Sequence, residues 1–175
     1  MASAGVRLWC ENCSKSWTLS EFGELRAENG ETEFSHIPDW YEFQRVEVRR
    51  QIENGTYFIH DEVDIDSLPN ARGYIHLGPG RLTHNQNGFT LEADLSTGPL
   101  QLYKTPASMY SCHIEYDYDH RGDCVELSTL EDTYYIYPKN IKNVVTKIAL
   151  ATEELYVWNQ SQLPTNSKVS LKQPL

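Results

Sequence analysis

Residues 56–66 read TYFIHDEVDID, and this stretch decides the fold. Apolar and polar side chains alternate along it, so that Val63 and Ile65 share one face while Asp64 and Asp66 share the other. A period of two is typical of a β-strand that buries one face and exposes the other. We therefore predict a half-buried strand whose acidic side chains lie in solvent.

The same period of two continues as far as residue 137. Turn-forming glycine, proline, asparagine and aspartate residues interrupt it and leave about seven short strands. The predicted turns are residues 68–70, 78–80, 85–88, 96–99 and 120–122, with another around 130–132. Because strands joined by short turns pair antiparallel, these residues predict an antiparallel sheet.

Helical spacing appears on both sides of the predicted sheet. Residues 38–54 precede it, with Pro38 and Asp39 at the start of the helix and Gly55 after its end, and residues 141 to about 158 follow it. This order predicts an α+β fold of the pleckstrin-homology-like type, a bent barrel or sandwich whose last helix plugs one open end. The alternative is a lipocalin-like or other up-and-down barrel, which closes without a plug.

The front of the chain carries half of a zinc-ribbon motif. Cys10 and Cys13 have the Cys-x-x-Cys spacing that lets two thiolates reach one metal from a turn between two short strands. A structural zinc site needs four ligands, and the chain has no second Cys-x-x-Cys. Three interpretations stay open: a half-site whose partner knuckle lies upstream, a complete site with His36 and one of Cys112 and Cys124, or plain reduced thiols. Zinc at an incomplete site is the one cofactor predicted.

The chain of 175 residues is predicted to have three parts. Residues 1–34 form the zinc-ribbon-like hairpin, and residues 35–160 form a helix and the β domain. Residues 161–175 mix Pro, Ser, Asn and Gln with scattered apolar residues, which predicts a disordered tail.

Charge and hydropathy exclude two classes of partner. The 25 acidic and 15 basic residues give a formal net charge of -10, the wrong sign for neutralising the phosphates of nucleic acids. No stretch approaches the roughly 20 apolar residues of a membrane span, and the first residues lack an apolar signal sequence. We therefore expect a cytoplasmic protein that has no membrane span and binds no nucleic acid.

The residues contain no recognisable catalytic pattern. The Gly-x-Ser-x-Gly turn is absent, and the six histidines lie mostly on separate predicted strands. Binding is therefore favoured over chemistry, and the eleven tyrosines and four tryptophans indicate either an interaction surface or cross-strand aromatic pairs. One alternative is an enzyme whose site, in a barrel mouth, contains two or more of Asp64, Asp66, His76 and Glu115. Another is a structural spacer without a pocket.

Four sequence runs resemble a known family. They are WCENC at 9–13, ELRAENGETEFSHIPDWY at 24–41, GRLTH at 80–84 and ALATEELY at 149–156. These runs look like the C-terminal extension of certain bacterial 1-acyl-sn-glycerol-3-phosphate acyltransferase-like proteins, and the likeness covers nearly the whole chain up to Trp158. The resemblance implies a role in phospholipid metabolism, beside an attached acyltransferase domain or another protein partner. It also implies that the missing zinc knuckle lies just upstream.

The catalytic motif of that family is absent from the sequence. The motif is His-x-x-x-x-Asp, in which the His acts as general base on the glycerol hydroxyl and the Asp orients it. Five positions after the histidines at 36, 60 and 113 stand Tyr41, Ile65 and Tyr118. We therefore predict a non-catalytic accessory domain for protein or ligand recognition. The alternative that it is part of an acyltransferase acting on 1-acylglycerol 3-phosphate stays open.

Overall fold

The computed structural model describes residues 2–10, 13–69 and 73–162, which form an α+β protein with two α-helices and two antiparallel sheets. The chain divides into two compact units, Met1–Val48 and Arg49–Leu175, and the division falls within the first helix. The three-part division expected from the sequence stays a prediction. Most of its tail, residues 163–175, lies outside the described residues.

The first unit is built on four short antiparallel strands. They are β1 (Ala2–Ala4), β2 (Arg7–Trp9), β3 (Ser16–Leu19) and β4 (Leu25–Ala27), hydrogen-bonded in that order. Trp17 and Leu25 are buried, and the ring centroid of Trp17 lies 5.7 Å from that of Trp40. The pairing of β2 with β3 confirms the predicted hairpin around the Cys-x-x-Cys turn. Its assignment as half of a zinc ribbon stays a prediction.

Helix α1 (Ile37–Glu53) has both ends within one residue of the predicted positions. In its first turn, the carboxylate of Asp39 accepts the backbone N–H of His36 at 3.1 Å, which satisfies a donor at the helix start. After its last turn, Gly55 has a φ of +68° and donates its N–H to the carbonyl of Ile52. Because Gly55 has a left-handed backbone conformation, the helix ends there.

The second unit contains a sheet of seven antiparallel strands, followed by helix α2 (Val145–Gln162). The strands are β5 (Phe58–Ser67), β6 (Ile75–Asn85), β7 (Gly88–Leu95), β8 (Gly98–Lys104), β9 (His113–Glu115), β10 (Cys124–Ser128) and β11 (Thr133–Pro138). They are hydrogen-bonded in the order β8-β7-β6-β5-β11-β10-β9, so β5 lies between β6 and β11. The predicted antiparallel sheet and its number of strands are confirmed.

The seven-stranded sheet is open, with β8 and β9 as its edge strands. Among the described strands these two edges do not pair with each other, and β9 has only three residues. A barrel needs an unbroken ring of paired strands. The barrel form of the predicted fold and the lipocalin-like alternative are therefore wrong, whereas the sandwich form and the likeness to a pleckstrin-homology domain stay predictions.

Residues 78–80 belong to strand β6, so the turn predicted there is wrong. The pairing of β5 with β6 shifts register between Ile65 and Asp66, opposite Gly78, whose φ is +118°. Gly80 packs closely against the neighbouring strands, and a Cβ added to it would lie 2.6 Å from Ile65 Cδ1. These glycines therefore permit a bulge and a close approach of strands, not a reversal of the chain.

The core of the second unit combines strand side chains with the buried residues of α2. The apolar residues predicted to face inward on β5, Ile59, Val63 and Ile65, are indeed buried. Helix α2 buries Ile148 and Leu155, among others, and contacts β9 and β10. Apolar burial of this kind is the main force that holds a sheet and a helix together.

Several tyrosines form aromatic pairs in the second unit. The Tyr135 ring lies 5.0 Å from Tyr74 in an edge-to-face arrangement and 5.3 Å from Tyr118 in a stacked one. Such pairs contribute beyond the area they bury. These are not pairs between two strands, because Tyr118 lies in a 3-10 turn and Tyr74 precedes β6. The group therefore does not bear out the interpretation of the aromatic residues as cross-strand pairs, and Tyr103 and Tyr116 are exposed.

Candidate functional site

Cys10 and Cys13, the two predicted zinc ligands, lie in the turn between β2 and β3. The backbone N–H of Cys10 donates to the carbonyl of Lys15 at 2.8 Å, and the Cys10 carbonyl accepts from Ser14. Cys13 is exposed, Cys10 is half-buried, and neither is in a disulfide. Within the described ranges, no group of three metal-ligating atoms within 4.8 Å of one another includes them. Zinc at this turn stays a prediction.

His36, the predicted third ligand, immediately precedes α1. Its Nδ1 lies 3.2 Å from the hydroxyl of Ser35 and 3.8 Å from the carboxylate of Asp39. The same carboxylate holds the backbone N–H of His36. The ring therefore takes part in the polar contacts at the helix start, and it belongs to no described cluster with Cys10 and Cys13.

Cys112 and Cys124, the other sulfur candidates, are held as protonated thiols. Burial raises the pKa of Cys112 to about 11 and that of Cys124 to about 12. Metal ligation requires the thiolate, so these values disfavour it at neutral pH. Cys124 is fully buried, and the Thr152 hydroxyl donates to Cys112 Sγ at 3.4 Å. Both side chains are suited to packing rather than to chemistry.

Two acidic residues of β5 are held by a cation and by backbone amides. Asp64 Oδ1 lies 2.7 Å from Lys139 Nζ. Asp61 is buried and accepts hydrogen bonds from the backbone N–H groups of Asn140 and Ile141 and from the Asn140 side chain, at 2.8–3.1 Å. Burial raises the pKa of Asp61, but these hydrogen bonds together lower it below its ordinary value. Both carboxylates therefore hold the structure together.

Asp66 is buried, which corrects its predicted place on the exposed face of the strand. Its exposed fraction is 1%, and it lies directly opposite Tyr135 of the neighbouring strand β11. Its carboxylate contacts His76 Nδ1 at 2.9 Å and the guanidinium of Arg121. Arg121 also lies over the ring of Tyr137, 4.6 Å from the centroid. Of the residues proposed for an enzyme site, the structure thus brings Asp66 and His76 together.

His84 is a buried structural histidine. Its ring stacks on Phe89 with 3.8 Å between centroids, and its Nδ1 lies 2.9 Å from the hydroxyl of Tyr57. Burial lowers the pKa of His84 to about 3, so the ring is neutral at physiological pH. With an exposed fraction of 1%, it does not meet a substrate.

His113, Glu115 and Glu126 form a cluster of metal-ligating side chains that the sequence analysis missed. Glu115 had been named, but only as a candidate for an acid–base site. Strand β9 pairs with β10 so that His113 is directly opposite Glu126. The sequence signal for part of this cluster is the His-x-Glu spacing of residues 113–115, because a period of two places both side chains on one face of a strand. Glu126 joins them through strand pairing, which no local pattern reveals.

A polar groove with a volume of about 430 Å³ lies over strands β5 to β8 and reaches the edge strand β8. Its lining includes three carboxylates and two cations, which belong to Glu62, Glu92, Asp94, Arg81 and Lys139. The remaining lining residues are Pro79, Gly80, Ala93, Pro99, Leu100 and Gln101. Strands β5 to β8 therefore share one concave polar surface.

Comparisons with known proteins identify no similar protein. No family model, no curated protein and no solved structure matches the chain. None of the described helices is both long and apolar enough to cross a membrane. What the chain does therefore has to follow from its own residues.

Proposed function

We propose that this chain is a non-catalytic recognition domain that binds an extended protein segment in the groove beside β8. The groove carries the proposal, because it is open and polar, and because it extends from β5 as far as Leu100 and Gln101 of the edge strand β8. An edge strand presents unpaired backbone groups on its outer side, and an extended peptide can add to them as a further strand. A groove of this size also argues against a structural spacer, for which no pocket is expected.

The charges around the groove favour a basic segment. Three carboxylates and two cations line it, and one of the cations, Lys139, is already paired with Asp64. The whole chain has a formal net charge of -10. Complementary potentials steer partners together, and like charges oppose association. A segment that carries Lys or Arg is therefore attracted, whereas anionic lipid headgroups and nucleic acids are repelled.

We also propose that the domain is related to the C-terminal extension of bacterial lysophospholipid acyltransferases and works in the cytoplasm, attached to or beside such a catalytic domain. The four sequence runs that resemble this family support the relation. The fold is consistent with a pleckstrin-homology-like module, since seven antiparallel strands, the first paired with the last, are followed by one helix. The Cys10–Cys13 turn is then half of a zinc ribbon that an upstream knuckle completes.

A peptide titration tests the recognition site. The chain, labelled with nitrogen-15, is titrated with a peptide of alternating Lys and Val residues and, separately, with one in which Glu replaces Lys. We expect amide shifts in β8 and in the groove with the Lys peptide, together with slower hydrogen exchange of β8 amides. The Glu peptide should leave the spectrum unchanged, because its negative charges are repelled by the carboxylates of the groove.

Matched variants locate the binding. The double change Glu92→Gln and Asp94→Asn removes two groove carboxylates and should weaken binding of the Lys peptide at least fivefold. Glu131→Gln removes an exposed carboxylate that is not part of the groove lining and should leave the affinity unchanged. Equal binding of both peptides, or shifts that lie away from β8 and the groove, would reject the proposal.

The contact between Asp66 and His76 favours a second candidate, an enzyme in which His76 is a general base. An imidazole held by a buried carboxylate is the usual arrangement of such a base, and the His76 side chain is 60% exposed. Against it, Arg121 shares the same carboxylate and offsets the charge that would stabilise an imidazolium.

An acyl-transfer assay separates the two candidates. The chain is mixed with a long-chain acyl-coenzyme A and 1-acylglycerol 3-phosphate, and the recognition proposal expects no turnover above buffer. Turnover that His76→Gln abolishes and His60→Gln preserves would establish the enzyme instead. His60 is a suitable control, because it is exposed and its Nδ1 lies 2.9 Å from the Thr83 hydroxyl.

A further inference from the structure

The backbone of β9 and β10 fixes three potential metal ligands on one face of the sheet. His113 and Glu115 are two positions apart on β9, so their side chains leave the same face. Register pairs His113 with Glu126 of β10, which places the third side chain on that face as well. Strands hold side chains more firmly than loops do, so this arrangement is largely organised before any ligand binds.

The distances between the three side chains suit one metal ion. Nε2 of His113 lies 3.0 Å from Glu115 Oε1 and 3.7 Å from Glu126 Oε1. The ligand atoms of all three residues lie within 4.8 Å of one another. Two donors that each stand about 2.0–2.1 Å from a tetrahedral zinc ion are separated by about 3.3–3.4 Å. The two measured separations lie on either side of that value.

The electrostatics of the cluster leave negative charge to neutralise. Burial and the neighbouring Glu115 raise the pKa of Glu126, and the hydrogen bond with Glu115 raises the pKa of His113. Two carboxylates share this site with the imidazole, and the carboxylates repel each other. A divalent ion at the shared point removes this repulsion and uses the neutral imidazole as a ligand.

We propose that His113, Glu115 and Glu126 bind one divalent first-row transition-metal ion of the Zn²⁺ type. One imidazole and two carboxylates supply three ligands, and the remaining coordination position faces solvent, because the His113 side chain is 65% exposed. The ion takes the place of any proton on Nε2 of His113, and that proton leaves to water. This site is independent of the groove beside β8 and of the predicted zinc at Cys10 and Cys13.

Calorimetric titration with Zn²⁺ tests the site in the full chain. Cys10→Ser and Cys13→Ser are introduced first, so that thiolates do not bind the metal. We expect one bound Zn²⁺ per chain, and His113→Gln or Glu126→Gln should weaken it at least tenfold, because each removes one of three ligands. His120→Gln removes another exposed histidine, whose Nδ1 lies 3.8 Å from Asp117, and should leave the affinity unchanged.

The pH dependence and a paramagnetic probe give independent readouts. Affinity should fall as acid protonates His113, which faces Glu115 and Glu126. The other groups that interact with Glu126 have raised pKa values, so they stay neutral at the acidic pH values of this experiment. They are Tyr74, Tyr118, Tyr135 and Cys124. Mn²⁺ should broaden the amide signals of β9 and β10 before all others.

Two results would overturn the proposal. One is an affinity for Zn²⁺ that His113→Gln leaves unchanged, which is informative because so exposed a side chain contributes little to folding. The other is Mn²⁺ broadening that is centred elsewhere in the chain. If Glu126→Gln perturbs the fold, the His113→Gln variant and the Mn²⁺ map decide between the outcomes.

Discussion

Lowering the pH from 7 to about 4.5 should destabilise the protein through His84. The pKa of this ring is about 3 in the folded protein, against an ordinary value of 6.5. Below about pH 6.5 the unfolded chain therefore takes up a proton that the folded protein does not, and stability falls as the pH falls. Each pH unit in this window costs about 1.4 kcal/mol, so the loss at pH 4.5 is about 3 kcal/mol.

Urea unfolding of the unchanged chain and of His84→Phe measures this loss. Phe keeps a flat ring beside Phe89 but does not titrate. The remaining acidic groups titrate in both proteins, so the difference between the two losses isolates His84. With a denaturant slope of roughly 1–3 kcal/mol per molar urea, the midpoint of the unchanged chain should fall by about 1–3 M more than that of the variant. His60→Gln, at an exposed position, should behave like the unchanged chain.

Equal acid losses in the unchanged chain and in His84→Phe would refute this reasoning. They would show that the folded protein protonates His84 as readily as the unfolded chain does. The stacking on Phe89 and the contact with Tyr57 would then not exclude water from the ring.

Two further changes, each with a control variant, test the packing of the second unit. Arg121→Ala leaves the buried carboxylate of Asp66 without its cation and should lower the free energy of unfolding in urea by about 2–4 kcal/mol. Arg26→Ala breaks an exposed ion pair and should cost under about 1 kcal/mol, so similar losses for the two would contradict the burial argument. Gly88→Ala presses a Cβ onto a backbone carbonyl oxygen of β8 at a φ of +103° and should cost more than about 3 kcal/mol. Gly98→Ala has a φ of +122° but open space around the added Cβ, so backbone strain alone, about 1–3 kcal/mol, is expected. Equal melting temperatures of these two variants would show that the contact does not matter.

Helix α1 could be predicted because its ends carry their own signals. Asp39 accepts a backbone N–H only three residues away, and Gly55 closes the last turn with a local hydrogen bond. Interactions of such short range depend on only a few consecutive residues, so a local sequence pattern predicts them. No knowledge of the remaining chain is needed to place such a helix.

Helix α2 shows where local spacing is insufficient. The apolar spacing predicts a start at Ile141, but the helix begins at Val145. The carboxylate of Asp61 binds the backbone N–H of Ile141 from 80 positions away, and Asn143 has a left-handed φ of +55°. A distant strand thus holds the first predicted turn in another conformation.

The ion pair and the cluster found in the second unit are also long-range features. Asp66 meets Arg121 because the segment between β9 and β10 contacts strand β5, and His113 meets Glu126 because β9 pairs with β10. Alternation along a strand predicts which residues share a face, but it does not predict bulges or partners. The sequence therefore indicated the sheet well and the contacts across it poorly.

Strand β5 has a consequence for the newly made chain, because its two neighbours are synthesised at very different times. Strand β6 follows it at once, whereas β11 begins only at Thr133. In a polypeptide that ends before that residue, Val63–Ser67 have unpaired backbone N–H and C=O groups on the side where β11 would pair. These residues include side chains that are buried in the complete protein. Such a segment is able to pair with the same segment of another copy. Truncated or stalled chains should therefore self-associate, and addition of the last strand should end that tendency.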